Sequence, residues 1–311
     1  VTLFDPEVPD PGVPASPPGV RLRLLVAYDG RAFRGFAAQP GQRTVAGALA
    51  DALGKVLGCP PPPLVGAGRT DAGVHAVGQV VHVDLPAGAR VVAEDGGLEQ
   101  LRRRLCRLLQ PDLVVRELTG AAPGFDARRS ALWRRYRYLV HEADQPDPRL
   151  AGLVWSVPGP LAERAMAQAA DVLVGRHDFR AFCRRPPGHP GDAPIERRVL
   201  ASSVRVVPAG AGLLPGWGRL LQVELVAEAF CHQMVRSVVA LLVAVGQRRR
   251  SLAEVHQALL AGTRQGLPAP APPGGLTLME VGYPSDQPGG RAVPAGQPAP
   301  ARVVGEGPLK L

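Results

Sequence analysis

Lysine is almost missing from this 311-residue chain: it stands only at Lys55 and Lys310 among 36 basic side chains. A cationic surface here is therefore built of guanidinium forks, which grip phosphate at two points and stack on bases, and not of ammonium point charges. Cysteine is sparse as well. Cys59, Cys106, Cys183 and Cys231 lie far apart and make no Cys-x-x-Cys or Cys/His ligand spacing. That excludes a zinc motif or a disulfide framework at the level of sequence, and the thiols are expected to be reduced. Long apolar runs are also lacking; residues 238–245 fall far short of a spanning helix and are bounded by Arg236 and Arg248. With no signal pattern at the N-terminus, the expectation is a soluble, cytoplasmic protein without metal or cofactor.

The charge balance of +9 and a pI near 10.2 favour a polyanionic partner. Heavy use of Ala, Gly, Pro and Val offers a blander explanation, a compositional bias that selects arginine everywhere. Placement has to decide between the two. Arginines cluster at 102–104 with Arg107, at Arg128 and Arg129, Arg134 and Arg135, Arg184 and Arg185, Arg197 and Arg198, and 248–250. A solvated helix face remains an equal reading for 102–107.

The most specific stretch runs from Gly68 to Gln79, Gly-Arg-Thr-Asp-Ala-Gly-Val-His-Ala-Val-Gly-Gln. Glycines at 66, 68 and 73 read as a tight loop, and the β-branched residues that follow, 79–84, read as a strand. Asp71 is thereby offered at the centre of a turn beside a sheet, two residues from Arg69. A nearby opposite charge lowers a carboxyl pKa by roughly 1–3 units, and such an acid is a plausible nucleophile or base. A weak surface pair is the plain alternative for Arg-Thr-Asp. A phosphate cradle is excluded by spacing, because the third glycine is Gly73, no Gly-Lys-Ser/Thr follows, and the segment opens no helix.

Elsewhere the chain has a Pro-rich start, residues 1–20, with six prolines, and a Pro/Gly-rich end, residues 284–311; both are expected to be disordered. Between them, strands are expected at 21–28, 131–141, 199–207 and 219–230. Helices are expected at 45–57 (capped by Thr44, stopped by Gly58), 98–109, 161–174, 232–245 and 252–261, the last with a Ser251/Glu254 capping box. Residues 185–194 read as a loop insertion. Strands and helices without strict βαβ alternation indicate an α+β fold with mainly antiparallel sheet. Within residues 232–245, Arg236 stands out in an otherwise apolar helix and needs a buried partner. His75 and His82 read as packing histidines, and Asp29 and Asp178 as turn caps.

The run at 68–79 resembles the signature of the tRNA pseudouridine synthase A family, and four further segments match in the same order. They are residues 25–30 with Phe33, Gly35, Phe36 and Gln39; Phe125-Asp126-Ala127-Arg128 with Tyr136-Arg137-Tyr138; His177-Asp178-Phe179 with Ala181-Phe182; and Phe230 with Met234-Val235-Arg236. The similarity spans about residues 21–283, with Cys231-His232-Gln233, Ser237 and Ala37-Ala38 as departures. The resemblance implies two similar α/β lobes related by a pseudo-twofold and sharing one large sheet, an N-terminal lobe at 21–145 and a C-terminal lobe at 146–283, with the active cleft between. It further implies isomerisation of uridine to pseudouridine at positions 38–40 of the tRNA anticodon stem-loop, by a homodimer. On the matched positions, Asp71 is the nucleophile, Tyr136 the platform for the base, and Arg236 with Arg69 the cations facing the carboxylate. Arg128, Arg129, Arg134, Arg135 and Gln79 are candidates for holding the RNA around a flipped-out nucleotide. A non-catalytic tRNA-binding protein with the same basic cleft is the main alternative, and a small-molecule nucleotide enzyme using the glycine loop is a remote third.

Overall fold

In the computed structural model of the protein, residues 19–85, 96–185, 193–208 and 218–284 are described. The expectations for the two tails and for most of the 185–194 loop fall outside them. β1 (Val20–Tyr28) opens the described chain and is followed by α1 (Val45–Leu57), whose limits are chemical. The Thr44 side chain accepts a hydrogen bond from the Gly47 N–H, and Gly58 ends the helix in the left-handed conformation. β2 (Leu64–Gly66), β3 (His75–Leu85), α2 (Gly97–Leu109) and β4 (Leu113–Gly120) complete the first half.

The second half comprises β5 (Trp133–Glu142), β6 (Trp155–Val157), α3 (Glu163–Asp171), β7 (Gly175–Asp178), β8 (Glu196–Val206), β9 (Arg219–Ala227), α4 (Met234–Gly246), α5 (Leu252–Ala261) and β10 (Leu276–Gly282). Ser251 and Glu254 form the reciprocal capping box at the start of α5. α3 is shorter than the apolar pattern suggests, because the residues before it turn through Pro160 and those after it run directly into β7.

The ten strands of the described residues join one sheet, in the order β4-β1-β3-β10-β5-β9-β8-β7, with β2 paired to β3 and β6 to β5. Pairing is antiparallel except at β10–β3 and β5–β6. Four strands of each half share one relative order, β4-β1-β3-β2 and β10-β5-β9-β8, and the second half adds β7 beyond β8 and β6 on β5. α1 packs on α2, and α3 on α4 and β8. α4 is buried along its whole length except at Arg236, as expected for a helix that is apolar all round.

One expectation about cysteine is corrected. Cys183 and Cys231 are joined as a disulfide, with Cα atoms 5.7 Å apart, whereas Cys59 and Cys106 are free. Their sequence separation of 48 leaves no local spacing to read; only the fold brings the turn after β7 against the segment leading into α4. Among the described residues no helix is long and apolar enough to cross a membrane, and no His/Cys/Asp/Glu group could hold a metal.

Candidate active site

The loop 67–74 joins β2 to β3 and is fixed from several sides. Ala67 N–H donates to Val80 O, Phe36 N–H donates to Thr70 O, and the Tyr28 hydroxyl meets Thr70 Oγ1 at 2.7 Å. Gly73 turns the chain back with φ +80°, and Gly35, at φ +98°, lies so close that a Cβ there would stand 3.1 Å from the Thr70 carbonyl oxygen. Side-chain-bearing residues rarely take those conformations, which accounts for glycine at both positions.

Asp71 points from this loop into a cleft lined by Arg69, Thr70, Val74, Tyr136, Phe230, Cys231, Gln233, Met234, Arg236 and Leu276. The lining thus comes from the β2–β3 loop, from β5, from the entry of α4 and from the start of β10. Arg236 NH1 donates to Asp71 Oδ2 at 2.9 Å, and His232 Nε2 lies 3.2 Å from Oδ1. The three side chains are 19%, 15% and 22% exposed for Asp71, Arg236 and His232, so the cluster is sheltered but reachable. Burial alone would push the Asp71 carboxyl up; the hydrogen bonds and charges of His232 and Arg236 outweigh it and hold the group below the ordinary carboxylate value. Arg236 is oriented in turn by its Nε, which donates to Ala271 O at 2.7 Å.

Tyr136 closes the cleft floor. Its ring stands edge-on to Phe230, with centroids 5.1 Å apart at 86°. Burial first, and then the neighbouring Tyr28, raises its hydroxyl pKa far above the usual phenol value. Tyr136 is therefore neutral throughout the working pH range and offers a ring face and an O–H, not a base.

The other expected site residues are distributed differently. Arg69 lines the cleft, but no described residue ion-pairs with it. The second partner of Asp71 is His232, which had been read only as a departure from the family pattern. A signal was available: His232 and Arg236 are four residues apart, the spacing of one helical face, although the helix itself begins only at Met234. Between them Gln233 takes φ 65°, uncommon for a residue with a side chain.

Gln79, a candidate for the RNA, lies beneath the loop. It is fully buried, and its amide donates to Gly68 O at 2.8 Å, holding the loop from below. Alternation along β5 puts Arg135 on the face opposite Tyr136, between Glu224 at 3.2 Å and Glu280 at 3.6 Å. Arg134 shares the face of Tyr136 but is buried, its guanidinium spread over four carbonyls: Glu228 at 2.7 Å, Ala67 and Arg128 at 3.0 Å, and Ala131 at 3.2 Å. It ties the start of the Asp71 loop to the segment after β9. Arg128 and Arg129 sit on a turn in which Asp126 Oδ1 accepts both backbone N–H groups, outside the cleft lining.

His75 and His82 are structural, as expected. His75 Nδ1 accepts from Gly30 N–H and its Nε2 reaches Gly152 O; His82 Nδ1 accepts from Ala127 N–H. Asp29 and Asp178 cap turns through the N–H groups of Arg31 and Arg180.

Comparison with known proteins bears on this cleft. A family model described as tRNA pseudouridine synthase matches residues 169–284, which include Phe230, His232 and Arg236. Three curated relatives, each named tRNA pseudouridine synthase A, match over 86% of the chain and 90% of their own length. They come from Frankia casuarinae at 46% identity, Cutibacterium acnes at 42% and Streptomyces avermitilis at 42%.

Proposed function

Because the chain belongs to the tRNA pseudouridine synthase A family, a family of isomerases, we propose that it converts uridine to pseudouridine at positions 38–40 of the tRNA anticodon stem-loop with Asp71 as the reacting carboxylate. The observation that carries this reading is the ionised Asp71, held by Arg236 and His232 at the bottom of a cleft walled by Tyr136 and Phe230.

The reaction breaks the bond between uracil N1 and ribose C1′, turns the detached ring, joins C5 to C1′, releases the C5 hydrogen as a proton and leaves N1 carrying a proton taken up in its place. Nothing is oxidised or reduced. Attack by a carboxylate on the base, attack on C1′, and removal of a sugar proton all begin from an ionised acid sheltered from water. Asp71 is such a group. Tyr136 and Phe230 offer apolar surface to the free ring while it turns, and Arg236 keeps the carboxylate oriented. A nucleotide within a stem reaches such a cleft only by leaving the stack, at a cost of a few kcal/mol; Arg69, which has no ion-pair partner among the described residues, is available to meet the opened strand.

The finer architecture belongs to this proposal: two lobes, 21–145 and 146–283, related by a pseudo-twofold. The repeated strand order supports two lobes of similar build. A homodimer acting in the cytoplasm on tRNA completes the reading.

The test is tritium release from tRNA labelled at uracil C5, comparing wild type with Asp71→Asn. Release by the wild type and a loss on the order of 10⁴-fold or more in the variant are expected. Salt-sensitive tRNA binding by both, with release by neither, would instead establish a binding protein.

A further inference from the structure

Gln233 lines two depressions, the Asp71 cleft on one side and a second, strongly basic one on the other. The second is lined by Arg180, Arg184, Arg185 and Arg264 together with Thr263, and no acidic residue is among its described lining. Arg180 is committed to Asp178, with Nε 2.5 Å from Oδ2. Arg184 and Arg264 have no ion-pair or hydrogen-bond partner for their guanidinium groups among the described residues. The wall between the depressions is shared backbone, since Arg184 N–H donates to the carbonyl of His232, the residue that holds Asp71.

Arg264 is partly buried, and its basicity is lowered first by that burial and then by the nearness of Arg236. Arg236 already has an anion in Asp71; Arg264 has none. Crowded guanidinium groups without a counter-charge are costly, and an anion seated between them relieves both the repulsion and the lost hydration.

We propose that this second depression seats a backbone phosphodiester of the RNA next to the target nucleotide, with Arg264 and Arg184 as its ligands. The inference deepens the tRNA reading and rests on it. A base turned into the Asp71 cleft drags its own backbone to the rim, and the basic seat across Gln233 is where a flanking phosphate finds unpaired fork donors. Holding that phosphate fixes the strand in its opened course, so the seat is a positioning element and not part of the chemistry.

The experiment measures tRNA affinity against salt concentration, with tritium release in parallel, for the full chain and for Arg264→Gln, Arg264→Lys and Lys55→Gln. Lys55 is exposed on α1, outside every arginine cluster, and matches the change of charge. Arg264→Gln is expected to raise Kd and KM about tenfold, to leave kcat within about twofold, and to reduce the slope of log K against log salt by about 0.7–0.9. Arg264→Lys should restore most of the slope. The proposal is overturned if Arg264→Gln leaves the slope unchanged, if Lys55→Gln reduces it equally, or if the loss falls on kcat alone. Binding of inorganic phosphate that Arg264→Gln abolishes while the RNA slope stays intact would mark a free-phosphate site and overturn it too. Wild-type tritium release reports on the catalytic reading separately: a slope change without any release keeps the phosphate seat and removes the isomerase.

Discussion

His232 Nε2 stands 3.2 Å from Asp71 Oδ1, on the oxygen that Arg236 leaves open. Both carboxylate oxygens are thereby partnered from one short stretch of chain, the entry to α4, while the carboxylate itself comes from the β2–β3 loop. The site is therefore assembled across the sheet, and its electrostatics depend on two donors and not one.

The first prediction concerns pH. Burial pushes Asp71 up and the two partners more than offset it, so its folded value lies below the ordinary 3.8. For a carboxyl depressed in this way, the charged form and the stability it lends are present above the unfolded value and are lost as pH falls through the folded one. The acid limb of kcat/KM for the wild type is therefore expected below the ordinary carboxylate range. His232→Ala leaves burial less opposed, and the limb should move to higher pH, with a loss of about 10–10³-fold in kcat/KM at neutral pH. A variant whose limb coincides with that of the wild type would show that His232 does not act on the carboxylate.

Tyr136 supplies the second. If its role is a ring for the base, Tyr136→Phe retains most of the activity, because the edge-on contact with Phe230 and the stacking face survive. Tyr136→Ala should lose about 1–3 kcal/mol of transition-state stabilisation, roughly 5–150-fold. Single-turnover rates for the two variants decide the matter. A Phe variant as damaged as the Ala variant would assign the work to the hydroxyl.

Local chemistry was readable wherever neighbours along the chain determine it. The Thr44 cap, the Gly58 stop and the Ser251/Glu254 box define helices by side-chain to backbone bonds within a few residues, and all three appear as expected. For the Asp71–Arg236 pair, 165 residues apart, a lone arginine in an apolar helix says only that an anion is needed, and it was the family resemblance that named Asp71. Arg134 and Arg135 show where reading fails. Adjacent strand residues face opposite sides, so a run of arginines cannot act as one patch, and which member is buried depends on what packs over each face. β4 and β10 were missed altogether. β10 enters the sheet centre from the far end of the chain, and its neighbours β3 and β5 are nowhere near it in sequence.

The Cys183–Cys231 bond yields a third prediction. Thiol titration in denaturant without reductant should count two groups, Cys59 and Cys106, and four after reduction. Reduction is expected to lower stability by about 2–4 kcal/mol, through the chain entropy released in the unfolded state. Cys231 lines the cleft beside His232, so tritium release should be followed in both states. Four titratable thiols before reduction would rule the bond out.

Arg134 gives the last prediction, and it separates holding the site from touching the substrate. Its guanidinium donates to Ala67, Arg128, Ala131 and Glu228, all carbonyls, and burial is the first cause lowering its basicity. Removing it leaves those buried acceptors bare, and hydrogen bonds to a charged donor contribute about 1.5–3 kcal/mol each before relaxation. Arg134→Ala should therefore lower the melting temperature by many degrees. Arg134→Lys should recover only part of it, since one ammonium cannot span the four acceptors. Ala67 begins the Asp71 loop, so the folded fraction of either variant should also turn over slowly. Its affinity for tRNA and its salt slope, measured well below the melt, should match the wild type, because this guanidinium is buried among protein carbonyls. A variant that keeps its stability but loses salt-dependent binding would return Arg134 to the RNA surface.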